Sequence, residues 1–240
     1  MLGLRSSARS TRKDEAEKPF WISFSDLMTA LMVLFLVAMA VALIAVTHGL
    51  ATINKVQEDR ETTIGTCIAG IRALAGQPEF RGVQVHGNSL DFGTLVLFGD
   101  NRHTFESKSQ EKFVRKFVPR VLDLARRNEC EHWLKRVVVE GFASKTGDYL
   151  YNLNLSYLRS QRVLCVLLDS RQADAISEAD RKLVQTLFLV GGSSFNTAAS
   201  SAAQMRRVEL KLEFREIGTN KDRPVDIPLD PGLRCPNDLR

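Results

Sequence analysis

Leu27–Thr47 reads LMTALMVLFLVAMAVALIAVT, 21 consecutive residues without a charged side chain. As an α-helix this stretch is about 31 Å long at 1.5 Å per residue, close to the hydrocarbon thickness of a bilayer. No later stretch of the 240-residue chain approaches it, so the sequence predicts one membrane span near the N-terminus. The competing reading is a cleaved signal peptide, because basic residues precede the run. An h-region is typically ~7–15 residues long; this run is longer and opens directly behind a carboxylate, Asp26, so a retained signal anchor is expected. Residues 1–20 carry Arg5, Arg9, Arg12, Lys13 and Lys18, whereas the stretch just after the span has only Lys55 and Arg60. The positive-inside rule then puts the N-terminus in the cytoplasm and everything after about His48 in the periplasm of a bacterial inner-membrane protein.

Outward from the span (residues 21–48), the organisation follows the change in hydrophobic period. Residues 1–20 read as a polar cytoplasmic tail. Residues 49–79 read as a partly helical linker, with Ile53, Val56, Ile64, Ile68, Ile71 and Leu74 at mostly helical spacing, a stripe that packs against a partner helix or the following domain. Residues 80–215 read as an α/β domain of the α+β kind. Val83–Val85 and Leu90–Phe92 flank a turn and predict a hairpin. Gln110–Arg127 predicts a helix bent at Pro119, with Phe113, Phe117, Val121 and Leu124 on one face. Leu134–Phe142 predicts a strand, Leu153–Leu168 a helix, Leu187–Val190 a strand closed by Gly191 and Gly192, and Val208–Phe214 a last strand of alternating pattern. The order βαβαββ implies a mixed sheet with helices on one side. Residues 216–240 read as an irregular tail.

Composition narrows the function. The net charge is +5, but the basic residues are scattered and form no stripe interleaved with aromatics, so nucleic acid is not the expected partner. There is no phosphate-cradling glycine loop, nucleophile elbow or pair of catalytic carboxylates, so no enzyme and no cofactor are expected. The four histidines and four cysteines lack metal-ligand spacing. Cys67, Cys130, Cys165 and Cys235 all follow the span, on the oxidising side, where an even count favours disulfides. Three pairings are open; Cys130–Cys165 with Cys67–Cys235 is the expectation adopted.

Asp26 is the most informative single residue. An ionised Asp costs about 2.5–3.5 kcal/mol at the centre of a membrane helix and less near its end, so it either reaches back to the interface or marks an ion pathway. Its surroundings decide. Trp21-Ile22-Ser23-Phe24-Ser25-Asp26-Leu27-Met28-Thr29-Ala30-Leu31-Met32, followed by Phe35-Leu36-Val37, resembles the membrane helix of MotB-type stator subunits. That resemblance implies that Asp26 is the ion-binding carboxylate of a rotary motor unit, with Thr29 one turn later as its supporting hydroxyl. The implied ion is H+, with Na+ as the alternative. Carboxyl groups suit the task, being neutral in apolar surroundings and ionised in water. Ala38, Ala42 and Ala45 lie near one face and either let two copies pack closely or reflect ordinary membrane composition.

A second resemblance begins at the strand end. Glu140-Gly141-Phe142-Ala143-Ser144-Lys145-Thr146-Gly147, then Tyr151-Asn152, Leu155-Ser156 and Arg159, is similar to the core motif of OmpA-like peptidoglycan-binding domains, and Met205-Arg206-Arg207-Val208-Glu209 to their closing strand. It implies that Tyr151, Asn152, Leu155, Arg159 and Ser144 form a peptidoglycan site, with Arg159 gripping a stem-peptide carboxylate. Ser144 stands where that family has an Asp for the diaminopimelate amine, and Met205 where it has Asn. Together the two resemblances imply a stator subunit, a homodimer inside a pentameric MotA-like multi-pass partner. The short chain, Ser144 and the Cys-bearing tail most resemble the ZorB family of Zorya anti-phage systems, whose partner is the MotA-like ZorA. A flagellar stator subunit and a passive envelope tether of the Pal or OmpA type are the alternatives.

Overall fold

The computed structural model describes residues 14–144, 147–194, 205–219, 228–229 and 235. The chain divides into two compact units, Met1–Val56 and Gln57–Arg240.

The first unit consists of the N-terminal part of helix α1, Asp14–Ala75. Among the described residues one helix is long and apolar enough to cross a membrane, and it is this one. Its apolar side chains have no cover within the unit: Leu34 and Phe35 are 67% and 66% exposed. A run of that size in water would be a large apolar patch, so lipid or another membrane helix must cover it. Helix α1 already begins at Asp14, within the stretch 1–20 read as a polar tail. Residues 1–13 lie outside the described residues.

The second unit is an α+β domain. Its sheet has the order β1-β2-β5-β3-β4, from Gln84–His86, Ser89–Asp91, Val208–Phe214, Leu134–Gly141 and Phe188–Gly192 respectively. Among the described residues the β3–β4 pair is parallel and the other strand pairs are antiparallel, so the sheet is mixed as the pattern implied. Alternation places Val137, Val139, Val208, Leu210 and Leu212 in the core, with Glu140, Glu209, Lys211 and Glu213 on the other face. Helix α2 (Lys108–Ala125) runs through Pro119 and buries Val114, Phe117, Val118, Val121 and Leu122. Phe117 meets Phe80 and Phe92 edge-on at ring separations of 5.0 and 5.5 Å, the geometry aromatic quadrupoles prefer. Helix α3 is the single turn Asn128–Glu131.

Helix α4 spans Tyr149–Leu168, so it starts four residues before the expected Leu153. It stops at Asp169, whose carboxylate accepts from Arg171 Nε at 2.8 Å and from the Arg171 backbone N–H at 3.0 Å. The Arg171 side-chain bond holds that carboxyl well below its ordinary range, at about 2. A further helix, α5 (Glu178–Leu187), was not foreseen; Ser177 caps it by accepting from the Asp180 N–H at 3.1 Å. Leu187 therefore closes α5 and the strand starts at Phe188.

One expectation is made specific and one is corrected. The partly helical linker 49–79 is helical through Ala75, and of the two covers open for its stripe it takes the following domain: Cys67, Ile71, Leu74 and Ala75 are buried in the core of the second unit. Arg60 donates to the Arg215 carbonyl at 2.9 Å and lies over the Trp133 ring. The disulfides are Cys67–Cys130 and Cys165–Cys235, not the pairs adopted from the sequence. The burial of the last turns of α1 brings Cys67 to α3, which leaves Cys165 of α4 for residue 235. Of the remaining tail, 220–227, 230–234 and 236–240 lie outside the described residues. In the chain-entropy account a loop of 63 residues between Cys67 and Cys130 is worth about 4 kcal/mol. Replacing both cysteines by serine should lower domain stability by about that amount in denaturant titration, and no free thiol should be alkylated in protein extracted under non-reducing conditions.

Candidate functional site

Two sites carry the residues singled out in the sequence, one in each unit. In the first, Asp26 lies one turn inside the apolar part of α1 and is exposed. It shares a stripe with Thr29, Ala30, Val33, Leu34 and Val37, residues that follow one another at helical spacing down one face. The Thr29 hydroxyl donates to the backbone carbonyls of Ser25 and Asp26 at 3.0 and 2.8 Å. It is thus tied to the helix backbone rather than to the Asp26 carboxylate, which is left to meet whatever covers this face. Trp21 and Phe24 pack edge-on one turn before it, at 6.5 Å.

The second site lies at the head of α4, where the helix is pulled close to the sheet by missing side chains. A Cβ on Gly141 would overlap the Ser156 carbonyl and lie 2.7 Å from Ser160 Oγ; one on Gly192 would lie 2.6 Å from Ser156 Oγ and 2.8 Å from the Tyr157 nitrogen. Small serines on the helix and glycines on the strands are therefore one device. Ser160 Oγ bonds to the Gly191 carbonyl, and Ser194, held at φ 48°, donates its N–H to Ser156 Oγ. The β3–α4 loop turns at Gly147, which sits at φ 101°.

Five residues were expected here. Asn152, Leu155 and Arg159 fall on the inward face of α4, at 1%, 6% and 1% exposure, and Ser144 is also buried. Tyr151 is the exposed member, at 51%. Leu155 is part of the packed interior. Arg159 is not presented to solvent. Its Nη1 donates to the Phe142 carbonyl at 2.7 Å, its Nε to the Arg102 carbonyl at 3.0 Å and its Nη2 to the Gly99 carbonyl at 3.1 Å. The guanidinium also lies 5.4 Å from the centre of the Phe98 ring. Burial, with Arg206 nearby, lowers its pKa to about 10. One buried cation thus fastens the end of β3 to the loop 98–102.

That loop was absent from the sequence reading. It is fastened a second time, by Arg206 Nε donating to the Phe98 carbonyl at 3.1 Å and by the Phe98 N–H donating to the Arg206 carbonyl at 3.3 Å. Asn101 at its tip has φ 50°, a conformation Asn tolerates better than most residues. The sequence signal was the polar turn Gly99-Asp100-Asn101 between the apolar Leu95–Phe98 and Phe105.

Among the described residues no group of histidine, cysteine, aspartate or glutamate is arranged to hold a metal ion. Residues 5–47 match the family described as the membrane MotB of the proton-channel complex MotA/MotB. The periplasmic domain of Helicobacter pylori MotB is similar in outline, with 12% identity, coverage of 56% of this chain and 82% of that one, and a TM-score of 0.41. A MotB-like protein of Desulfovibrio vulgaris has 19% identity, coverage of 66% and 96%, and a TM-score of 0.40. The Zorya protein ZorB of Escherichia coli is 38% identical over 234 residues, 96% of this chain and 95% of its own length. With that identity sustained from end to end, and with the MotB match on its apolar helix, the chain belongs to the ZorB family of MotB-like membrane proteins.

Proposed function

We propose that this chain is the membrane-anchored stator subunit of a proton-driven rotary complex, tethered to peptidoglycan by its C-terminal domain and acting in anti-phage defence. The observation that carries the reading is Asp26, a carboxylate on the exposed face of an otherwise apolar membrane helix. A passive tether has no use for such a group, whereas a proton carrier requires one. The matched family belongs to a proton-channel complex with MotA, and the ZorB relative carries the name of the Zorya system. Two copies of the chain inside a ring of MotA-like multi-pass subunits would put Asp26 at the interface between them. The basic flank before the span and the disulfides after it support an N-terminus in the cytoplasm and a domain in the periplasm.

The assembly can be tested by expressing the chain with the multi-pass membrane protein encoded beside it. The two should co-purify in mild detergent, and the complex should sediment with purified sacculi. A chain that purifies alone and stays in the supernatant would remove both the stator and the tether from this account.

A further inference from the structure

We propose that the groove between the last turns of α1 and the C-terminal half of α2 is the docking site for an acidic amphipathic helix of another protein. That helix packs on the small side chains of α1 and sets two carboxylates, about two turns apart, against Arg120 and Arg127. The inference rests on neither the wall-binding nor the proton-carrying reading above.

Gly70, Ala73, Leu74 and Leu124 line this groove, which has a volume of about 450 Å³. It is kept open by residues that the domain's own packing does not require. Gly65 and Gly70 lie inside α1, where glycine is less favourable than any residue but proline. A Cβ on Gly65 would meet nothing within 4 Å, and one on Gly70 only Leu124 Cδ2 at 3.7 Å, an ordinary contact. Gly141 and Gly192 differ, because their missing side chains admit α4 to the sheet. Thr66, Ala69 and Ala73 are exposed on the same side of α1, so that side carries only small side chains over two turns. The distance between packed helices is set by the side chains at their contact, so such a surface admits a partner helix at short range. Charge then narrows the partner. Arg120 on α2 and Arg127 just past its end stand on the opposite rim, about 10 Å apart along the axis at 1.5 Å per residue. Among the described residues neither guanidinium makes a hydrogen bond or an ion pair. The carboxylates nearby are already engaged: Asp123 accepts from Arg126 Nη1 at 3.1 Å, and Asp180 pairs with the same Arg126. The rim therefore carries positive charge without an internal counter-charge, which an acidic helix complements.

The test is photo-crosslinking in cells that carry the native system, before and after phage infection. A benzophenone amino acid replaces Gln77, an exposed residue that lines the groove. Mass spectrometry of the adduct should identify a segment of a different protein with helical period and two acidic residues about seven apart on one face. Arg120→Glu with Arg127→Glu should lower the yield about tenfold or more, as loss of charge-assisted contacts does, and lysines in place of the two acidic residues should restore it. Ala73→Leu, which fills the groove from an exposed position, should lower the yield as well, with the melting temperature unchanged in both variants. If the charge reversal does not fold, Arg120→Gln with Arg127→Gln takes its place. Gly65→Ala in the purified protein should not lower the melting temperature; a fall would return that glycine to the domain's own packing and overturn the argument for an open face. No adduct in either condition would overturn the proposal. So would an adduct to a second copy of this chain, to glycan, to lipid or to a segment without the acidic pair, or a yield that ignores both substitutions. Each of these would leave the wall-binding and proton-carrying readings standing.

Discussion

Asp26→Asn should abolish protection against a phage that the native system restricts, returning plating efficiency to that of cells without the system. The substitution keeps the size and hydrogen-bonding shape of the side chain and removes only its ability to hold and release a proton. Nothing in the helix depends on the charge: Thr29 bonds to backbone carbonyls, and the face around Asp26 is exposed. A neutral amide is easier to place in a bilayer than a carboxylate, which costs about 2.5–3.5 kcal/mol at mid-helix, so the variant should insert and assemble at least as well. What it loses is the work of the membrane potential, about 2.3 kcal/mol per charge per 100 mV. Asp26→Glu keeps the ionisable group and should retain part of the activity. Full protection by the Asn variant, at native protein level, would leave only a tether.

Gly141→Ala should be the most destabilising single methyl that can be added to the second unit. The new Cβ would overlap the Ser156 carbonyl, which is helix backbone and cannot rotate away, with Ser160 Oγ only 2.7 Å off. Relief requires α4 to move from the sheet, and α4 carries Asn152 and Arg159. Overpacking of this kind costs about 1–3 kcal/mol and occasionally more; contact with backbone argues for the upper end, or roughly 10 °C in melting temperature for a domain of this size. Gly191→Ala is the control. Its Cβ would meet only Val138 Cγ1, at 3.7 Å, an ordinary contact, so that variant should melt within about 2 °C of native. Intrinsic fluorescence of the detergent-solubilised protein follows both.

How far residues announced their roles depended on which part of the residue did the work. Leu27–Thr47 and Val208–Phe214 were plain, because a bilayer demands an unbroken apolar run and a one-sided sheet demands alternation. The stripe Ile64–Leu74 was visible as a packing face, with a partner helix and the following domain both open as its cover, and it is the domain core that it packs into. Helix α5 hid behind its junction with β4: Leu187 and Phe188 belong to different elements with no turn between them, so the apolar run Leu187–Val190 looked like one strand. Its capping serine, Ser177, with Asp180 three residues on, was the signal that could have separated them. Disulfide pairing was not legible, since separations of 63 and 70 residues follow from the fold and not from spacing. At the head of α4 the residues named from the motif are brought together, Tyr151 outward and the rest inward. The role of Arg159 in fastening the loop could not be read, because its partners are carbonyls of Gly99, Arg102 and Phe142, and a carbonyl is the same in every residue.

The claim on which the account turns is that Asp26 holds a proton in a water-poor site of the assembled complex. Dicyclohexylcarbodiimide reacts with protonated carboxyl groups in apolar surroundings, and peptide mass spectrometry locates the adduct. The complex treated in native membranes at neutral pH should be modified at Asp26, with loss of function in proportion, and Asp26→Asn should carry no adduct in that helix. Protection by added sodium would name sodium as the ion. An Asp26 that stays unmodified in the assembled complex, or is fully modified in a complex that still protects cells, would contradict the account.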